Sequence, residues 1–228
     1  MNRFGSFLRI PFLLVLFATP VAAQTSSKAE PAAPPLPAIR SSFVNESLPP
    51  LHRTIVTGDL NRLKQLLDDG ADVNETGFDG SSPLHLVVWL HRGDMLEELI
   101  RRGADIEGKD AQGNTPLHEA ARWGRIDMAK CLLEHKASVG AVNNKGQTPL
   151  HLVGRMPIEI SAVARLRKVA RLLIENGADL DATDHGGVSA YDAVTPTAEG
   201  KIVDLFNETH RRKRNVDPAN ADTGHRNP

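Results

Sequence analysis

The chain has 228 residues, with 27 Lys and Arg against 28 Asp and Glu, a formal charge of −1. That balance excludes a wholesale nucleic-acid-binding surface, which needs clustered excess positive charge. Its one cysteine, Cys131, excludes an internal disulfide, so any fold must hold together by its apolar core alone.

At the N-terminus, Arg3 and Arg9 are the only charges before an apolar run from Ile10 to Ala18, followed by Pro20-Val21-Ala22-Ala23. The run is too short to span a bilayer, and small residues at 21 and 23 fit a cleavage site after Ala23, so residues 1–23 read as a secretory signal peptide. Its removal takes away two Arg and no acid, leaving 25 basic residues against 28 acidic. No later stretch is long and apolar enough to cross a membrane, and the expected product is a soluble monomer, periplasmic or secreted. Residues 24–47 are rich in Pro, Ala and Ser, including Pro31-Ala32-Ala33-Pro34-Pro35-Leu36-Pro37. Such a composition offers little apolar surface to bury and reads as a disordered or semi-rigid linker.

From Leu48 onward the chain repeats itself. Pro50-Leu51-His52, Pro83-Leu84-His85, Pro116-Leu117-His118 and Pro149-Leu150-His151 follow one another at 33 residues. A second series, Gly70-Ala71-Asp72, Gly103-Ala104-Asp105, Lys136-Ala137-Ser138 and Gly177-Ala178-Asp179, keeps that register until a longer last step. A third consists of Leu66-Leu67, Leu99-Ile100, Leu132-Leu133 and Leu173-Ile174. The motif is fullest in Thr115-Pro116-Leu117-His118-Glu119-Ala120-Ala121, and it resembles the ankyrin repeat over residues 48–210. The resemblance implies an all-α solenoid of stacked helix-turn-helix units with protruding hairpin loops. Repeats fall at 48–80, 81–113, 114–146 and 147–187, with a C-terminal cap at 188–210 and a basic disordered tail at 211–228.

The residues support the same reading independently. Ser82, Thr115 and Thr148 stand at helix N-caps, each followed by Pro at the first helical position, where a missing N–H costs nothing. Gly103 and Gly177 suit the left-handed residue that ends an outer helix, and Gly80, Gly113, Gly146 and Gly187 close the hairpins. One helix pair cannot bury both of its faces, whereas stacked neighbours can. Two repeats depart from the pattern. The second has Val87-Val88 and His91 where the third has Ala120-Ala121 and Gly124, so its helix pair is expected to be splayed or shifted in its turn. The fourth carries eight extra residues around Gly154–Ile160, and Pro157 is expected to end the inner helix early, with Arg165, Arg167, Lys168 and Arg171 beginning the outer one.

No catalytic pattern emerges, and the chain is read as non-enzymatic, with no cofactor and no metal. The recurring His52, His85, His118 and His151 cannot share an ion, because neighbouring helices stack roughly 10 Å apart while zinc ligands sit at about 2 Å. They are expected to bond hairpin and helix backbones instead. Cys131 lies beside Leu132 and Leu133 and reads as a small core hydrophobe. Arg92-Gly93-Asp94 lies in a turn where Gly and Asp are locally useful, and Arg211-Arg212-Lys213-Arg214 reads as a basic helix end.

Family resemblance implies that a protein partner binds the concave face made by hairpin tips and inner helices. In this register the tips carry Phe78, Asp79, Lys109, Gln112, Asn144, Lys145 and His185, and the inner helices present Trp89, Leu90, Arg122 and Trp123. The aromatic residues are the strongest anchor candidates, since buried aromatics carry much interface energy. The expected function is a non-catalytic interaction scaffold, periplasmic or exported. A secreted effector acting on a host-cell protein is the alternative.

Overall fold

In the computed structural model, the described residues are 48–77, 79–153 and 160–194. The expected signal peptide, linker and basic tail, Phe78, most of the insertion and the cap beyond Val194 lie outside them. Inner helices α1 (Pro50–Thr57), α3 (Pro83–Leu90), α5 (Pro116–Trp123) and α7 (Pro149–Leu152) alternate with outer helices α2 (Leu60–Asp68), α4 (Gly93–Arg101), α6 (Ile126–Glu134) and α8 (Ile160–Glu175), and α9 (Ala190–Val194) follows. Inner helices pack in sequence, α1 on α3, α3 on α5, α5 on α7 and α7 on α9, while α2, α4, α6 and α8 form a second layer. Among the described residues there is no strand, only an isolated bridge between Thr183 and Ser189.

Each inner helix starts where proline and a capping side chain coincide. In α3, α5 and α7, the hydroxyl of Ser82, Thr115 or Thr148 accepts the N–H of the third helical residue, and the histidine there returns a bond to the cap's own N–H. That third residue is the histidine of the Pro-Leu-His motif. The core is made of rows running along the stack. Leu51, Leu84, Leu117 and Leu150 form one, Leu99, Leu132 and Leu173 another, all with exposures of 1% or less. Each such leucine contributes roughly 2 kcal/mol of burial, and all of them belong to one buried cluster, so the core is continuous.

In the second repeat the turn is not shifted, contrary to one of the two expectations. His91 takes a left-handed conformation, φ 58°, as Gly58 and Gly124 do at 78° and 66°. The N–H of Arg92 donates to Val87 O at 2.9 Å, matching Arg125 to Ala120 at 2.9 Å, and α3 and α4 have the same lengths as α5 and α6. Val87 and Val88 are fully buried.

The fourth repeat is corrected in one respect and agrees in another. Its inner helix α7 has only four residues, so it does end early. Its outer helix begins at Ile160 and runs for 16 residues, placing Arg165, Arg167, Lys168 and Arg171 in its middle rather than at its start. Much of the added length therefore extends the outer helix.

Hairpins are built from one repeated turn. Asp110 N donates to Asn114 O at 3.0 Å and Gly113 N to Asp110 O at 2.9 Å, and the same pair recurs at 143–147 and 184–188. Successive tips are laced together: Ala111 N donates to Asp79 O, Asn144 N to Gln112 O and His185 N to Lys145 O, at 3.1, 3.0 and 2.9 Å. On the outer layer the buried Glu98 carboxylate receives Arg101 and Arg102, and Arg102 also pairs with Asp68 on α2.

Candidate functional site

The histidine row sets the floor on which a site can be built. Nε2 of His52, His85 and His118 lies 2.9 Å from the carbonyls of Ser81, Asn114 and Gln147, and Nε2 of His151 lies 3.2 Å from Val188 O. Each ring thus ties an inner helix to the following hairpin. Nδ1 of His85, His118 and His151 faces the backbone N–H of its own cap residue at 3.1 to 3.2 Å, which makes Nδ1 the acceptor and Nε2 the donor. His52 departs from this, because its cap is Pro49, with neither N–H nor hydroxyl, and its buried Nδ1 has no partner among the described residues.

Above this row lies a groove of about 490 Å³, bounded by inner helices α1, α3 and α5 on one side and hairpins on the other. Leu48, Val56, Leu86 and Trp89 supply apolar walls, Asp79, Ser81, Asp110 and Gln112 come from the hairpins, and Glu119, Arg122 and Trp123 occupy the far end. Helical spacing explains the set: Leu86 and Trp89, like Glu119 and Arg122, stand three residues apart on one helix face.

Glu119 organises the far end. One carboxylate oxygen accepts the Trp123 indole N–H at 2.9 Å, and the other faces Arg122 at 3.1 Å. Burial raises the Glu119 carboxyl, with Arg122 and the indole hydrogen bond opposing. Asp79 behaves differently. Burial pushes it up, but hydrogen bonds from Ser81 outweigh this and hold it below the usual carboxylate range. With Glu119 balanced by Arg122, Asp79 and Asp110 leave the groove net negative.

Of the residues expected on the concave face, the groove brings together Asp79, Trp89, Gln112, Arg122 and Trp123. Among the described residues, Leu90, Lys109, Asn144, Lys145 and His185 do not line it, and Phe78 lies outside the described residues. Leu90 is partly buried and packs against the hydrophobic core. Lys109 lies on the hairpins outside the groove and sends its ammonium to Val142 O at 3.0 Å. Asn144 binds Ala111 O through its amide at 3.1 Å, and Lys145 and His185 continue the row of tips beyond the groove. The sequence reading missed Leu48, Val56, Leu86, Asp110 and Glu119. The 33-residue register carried the signal for one of them, because Val56 aligns with Trp89.

The remaining motifs are structural. Arg92 packs its guanidinium 3.0 Å from where a Gly58 side chain would begin, Gly93 opens α4, and the Asp94 carboxylate accepts Met95 N at 2.9 Å. Cys131 is half-buried against the core, and burial, then Glu97 and Glu134, raise its thiol, the opposite of what a reactive thiolate needs. Among the described residues no cluster of three His, Cys, Asp or Glu side chains is placed to hold a metal ion.

Capped helix pairs at a 33-residue step, laced hairpins and a groove along the inner helices define a helical repeat solenoid. A family model described as ankyrin repeats in three copies matches residues 84–184, and that stretch is built of ankyrin repeats. No curated protein matches it. Repeats of this family generally mediate protein–protein interaction and are typically non-catalytic. No helix among the described residues is long and apolar enough to cross a membrane.

Proposed function

We propose that the chain is an exported, non-catalytic scaffold that holds an extended segment of a protein partner in the groove over α1, α3 and α5. The observation that carries this reading is the convergence of both tryptophans of the chain, Trp89 and Trp123, on one partly open apolar groove with charged edges. Half-exposed aromatic rings flanked by charged and hydrogen-bonding groups are the usual composition of an interface centre. Export, to the periplasm or beyond, rests on the signal-peptide pattern of residues 1–23.

Two measurements test these parts separately. Trp89→Ala/Trp123→Ala, checked for an unchanged helical signal, should lose partner capture in an affinity pull-down from the native compartment. Capture at the wild-type level overturns the groove. N-terminal sequencing of protein recovered from that compartment should begin at Gln24, and an intact Met1 terminus in the cytosol overturns export.

A further inference from the structure

The described chain begins at the groove itself. Leu48 lines it, and the Arg53 guanidinium donates to the Leu48 carbonyl at 3.3 Å, fixing where the preceding segment arrives. Immediately upstream stands Ala38-Ile39-Arg40-Ser41-Ser42-Phe43-Val44-Asn45-Glu46-Ser47, apolar at Ile39, Phe43 and Val44, with a positive charge at Arg40 and a negative one at Glu46, two residues before Leu48. The groove offers the complement, an apolar wall at Leu86 and Trp89 and a net negative hairpin edge at Asp79 and Asp110.

We propose that this leader segment, residues 38–47, folds back along the groove as an intramolecular competitor of the partner, so that binding is self-limited. The proposal rests on the protein-binding reading of the same groove. Reach permits it. Five extended residues cover about 17 Å and eight about 27 Å. Inner helices of neighbouring repeats lie roughly 10 Å apart. Phe43 therefore reaches Leu86 and Trp89 one repeat on, and Arg40 reaches Asp110 two repeats on. A tether this short holds the segment at an effective concentration on the order of millimolar, so weak contacts suffice to occupy the groove. The basic run 211–214 is the other candidate segment. It follows Val194 by 17 residues, and α9 packs on α7, at the opposite end of the stack from Leu48.

The two tryptophans make the groove directly readable. In the whole chain, Phe43→Ala/Arg40→Glu should raise acrylamide quenching of tryptophan fluorescence by roughly twofold, as a tethered occupant is released. A synthetic peptide of residues 36–47 should restore protection to that variant, and the wild-type value should not change on tenfold dilution, given on the order of millimolar tethered concentration. Equal quenching in both proteins overturns the proposal. So does protection that disappears on dilution, which makes a second copy the occupant, or protection restored by a peptide of residues 207–218 and not by 36–47. Failure of the underlying reading looks different. If quenching responds as expected while partner capture ignores Trp89→Ala/Trp123→Ala, the leader occupies a groove that is not the partner's. If quenching does not respond while capture needs both tryptophans, only the leader proposal falls.

Discussion

Nε2 of His118 lies 2.9 Å from the carbonyl of Gln147, joining the third inner helix to the hairpin of the next repeat. The ring is fully buried, and its Nδ1 faces the Thr115 N–H at 3.1 Å, so a proton on Nδ1 would meet a donor. Burial pushes the ring's pKa from the ordinary 6.5 down to about 4, the Gln147 hydrogen bond opposing.

A pH dependence of stability follows. As pH falls below about 6.5 the unfolded chain takes up the His118 proton first, and the native chain follows only near 4. Stability is therefore lost through that window and levels off below it, by a total of about 3 kcal/mol. Urea unfolding at pH 7.5 and 4.5 should show a drop larger by about 2 kcal/mol in the wild type than in His118→Gln. Glu119 works in the opposite direction, because its raised carboxyl lets the native state take up a proton first, but it is common to both proteins. Equal drops would show that His118 does not resist protonation.

Lys136 occupies a left-handed position, φ 72°, that is glycine in the other repeats: Gly70, Gly103 and Gly177, with φ 90°, 86° and 92°. The geometry is enforced by the bond from Ala137 N to Leu132 O at 2.9 Å, which recurs at Ala71, Ala104 and Ala178. Lys136→Gly should raise stability by about 0.5–1 kcal/mol, the relief of left-handed strain less the entropy that glycine loses on folding. Gly103→Ala should lower it by about 1 kcal/mol, by conformation alone, since an added Cβ there meets nothing within 4 Å. Both are read from denaturation midpoints, and no change in either would remove strain as the cause.

Much of this was legible from the sequence because each requirement falls on a residue type that few others can replace. Proline at the first helical turn, histidine three residues after the cap and glycine at the turns fix register, helix ends and hairpin bonds at once. What escaped depended on tolerance or on side-chain partners. His91 could keep glycine's conformation, so an irregular letter did not produce an irregular turn. The insertion lengthened the outer helix, α8 running from Ile160 for 16 residues, whereas Pro157 had pointed only to the inner helix, which ends at Leu152. Within the groove, the tryptophans were visible by type. Glu119, which holds Trp123 and Arg122 together, was read only as part of the repeat motif.

Because Glu119 is buried, its partners matter more than a surface ion pair would. Arg122→Ala should destabilise the protein by about 1–2 kcal/mol at pH 7, the partial exposure of Arg122 keeping the figure below that of a fully enclosed pair. Adding Glu119→Gln should recover part of that loss, since the amide oxygen can still accept the Trp123 indole while no charge is stranded. A double variant no more stable than Arg122→Ala alone would show that the carboxylate is solvated in place.

Gly113 tests how tightly neighbouring tips must approach. It has φ 77°, and an added Cβ would sit 2.4 Å from Asn144 Oδ1 and 2.8 Å from Asn144 N. Asn144 cannot retreat without losing its backbone bond to Gln112 O at 3.0 Å and its side-chain bond to Ala111 O at 3.1 Å. Gly187, at φ 76°, has the same conformation, and no described residue lies within 4 Å of the added atom. Gly187→Ala should therefore cost about 1 kcal/mol and Gly113→Ala about 3 kcal/mol, the difference being the contact between tips. Because Gln112 lines the groove from the same tip, Gly113→Ala should also weaken partner capture in protein that remains folded, whereas Gly187→Ala should not. Equal effects of the two substitutions on stability would mean that the tips part freely and that the hairpin wall of the groove is not held in place by its neighbour.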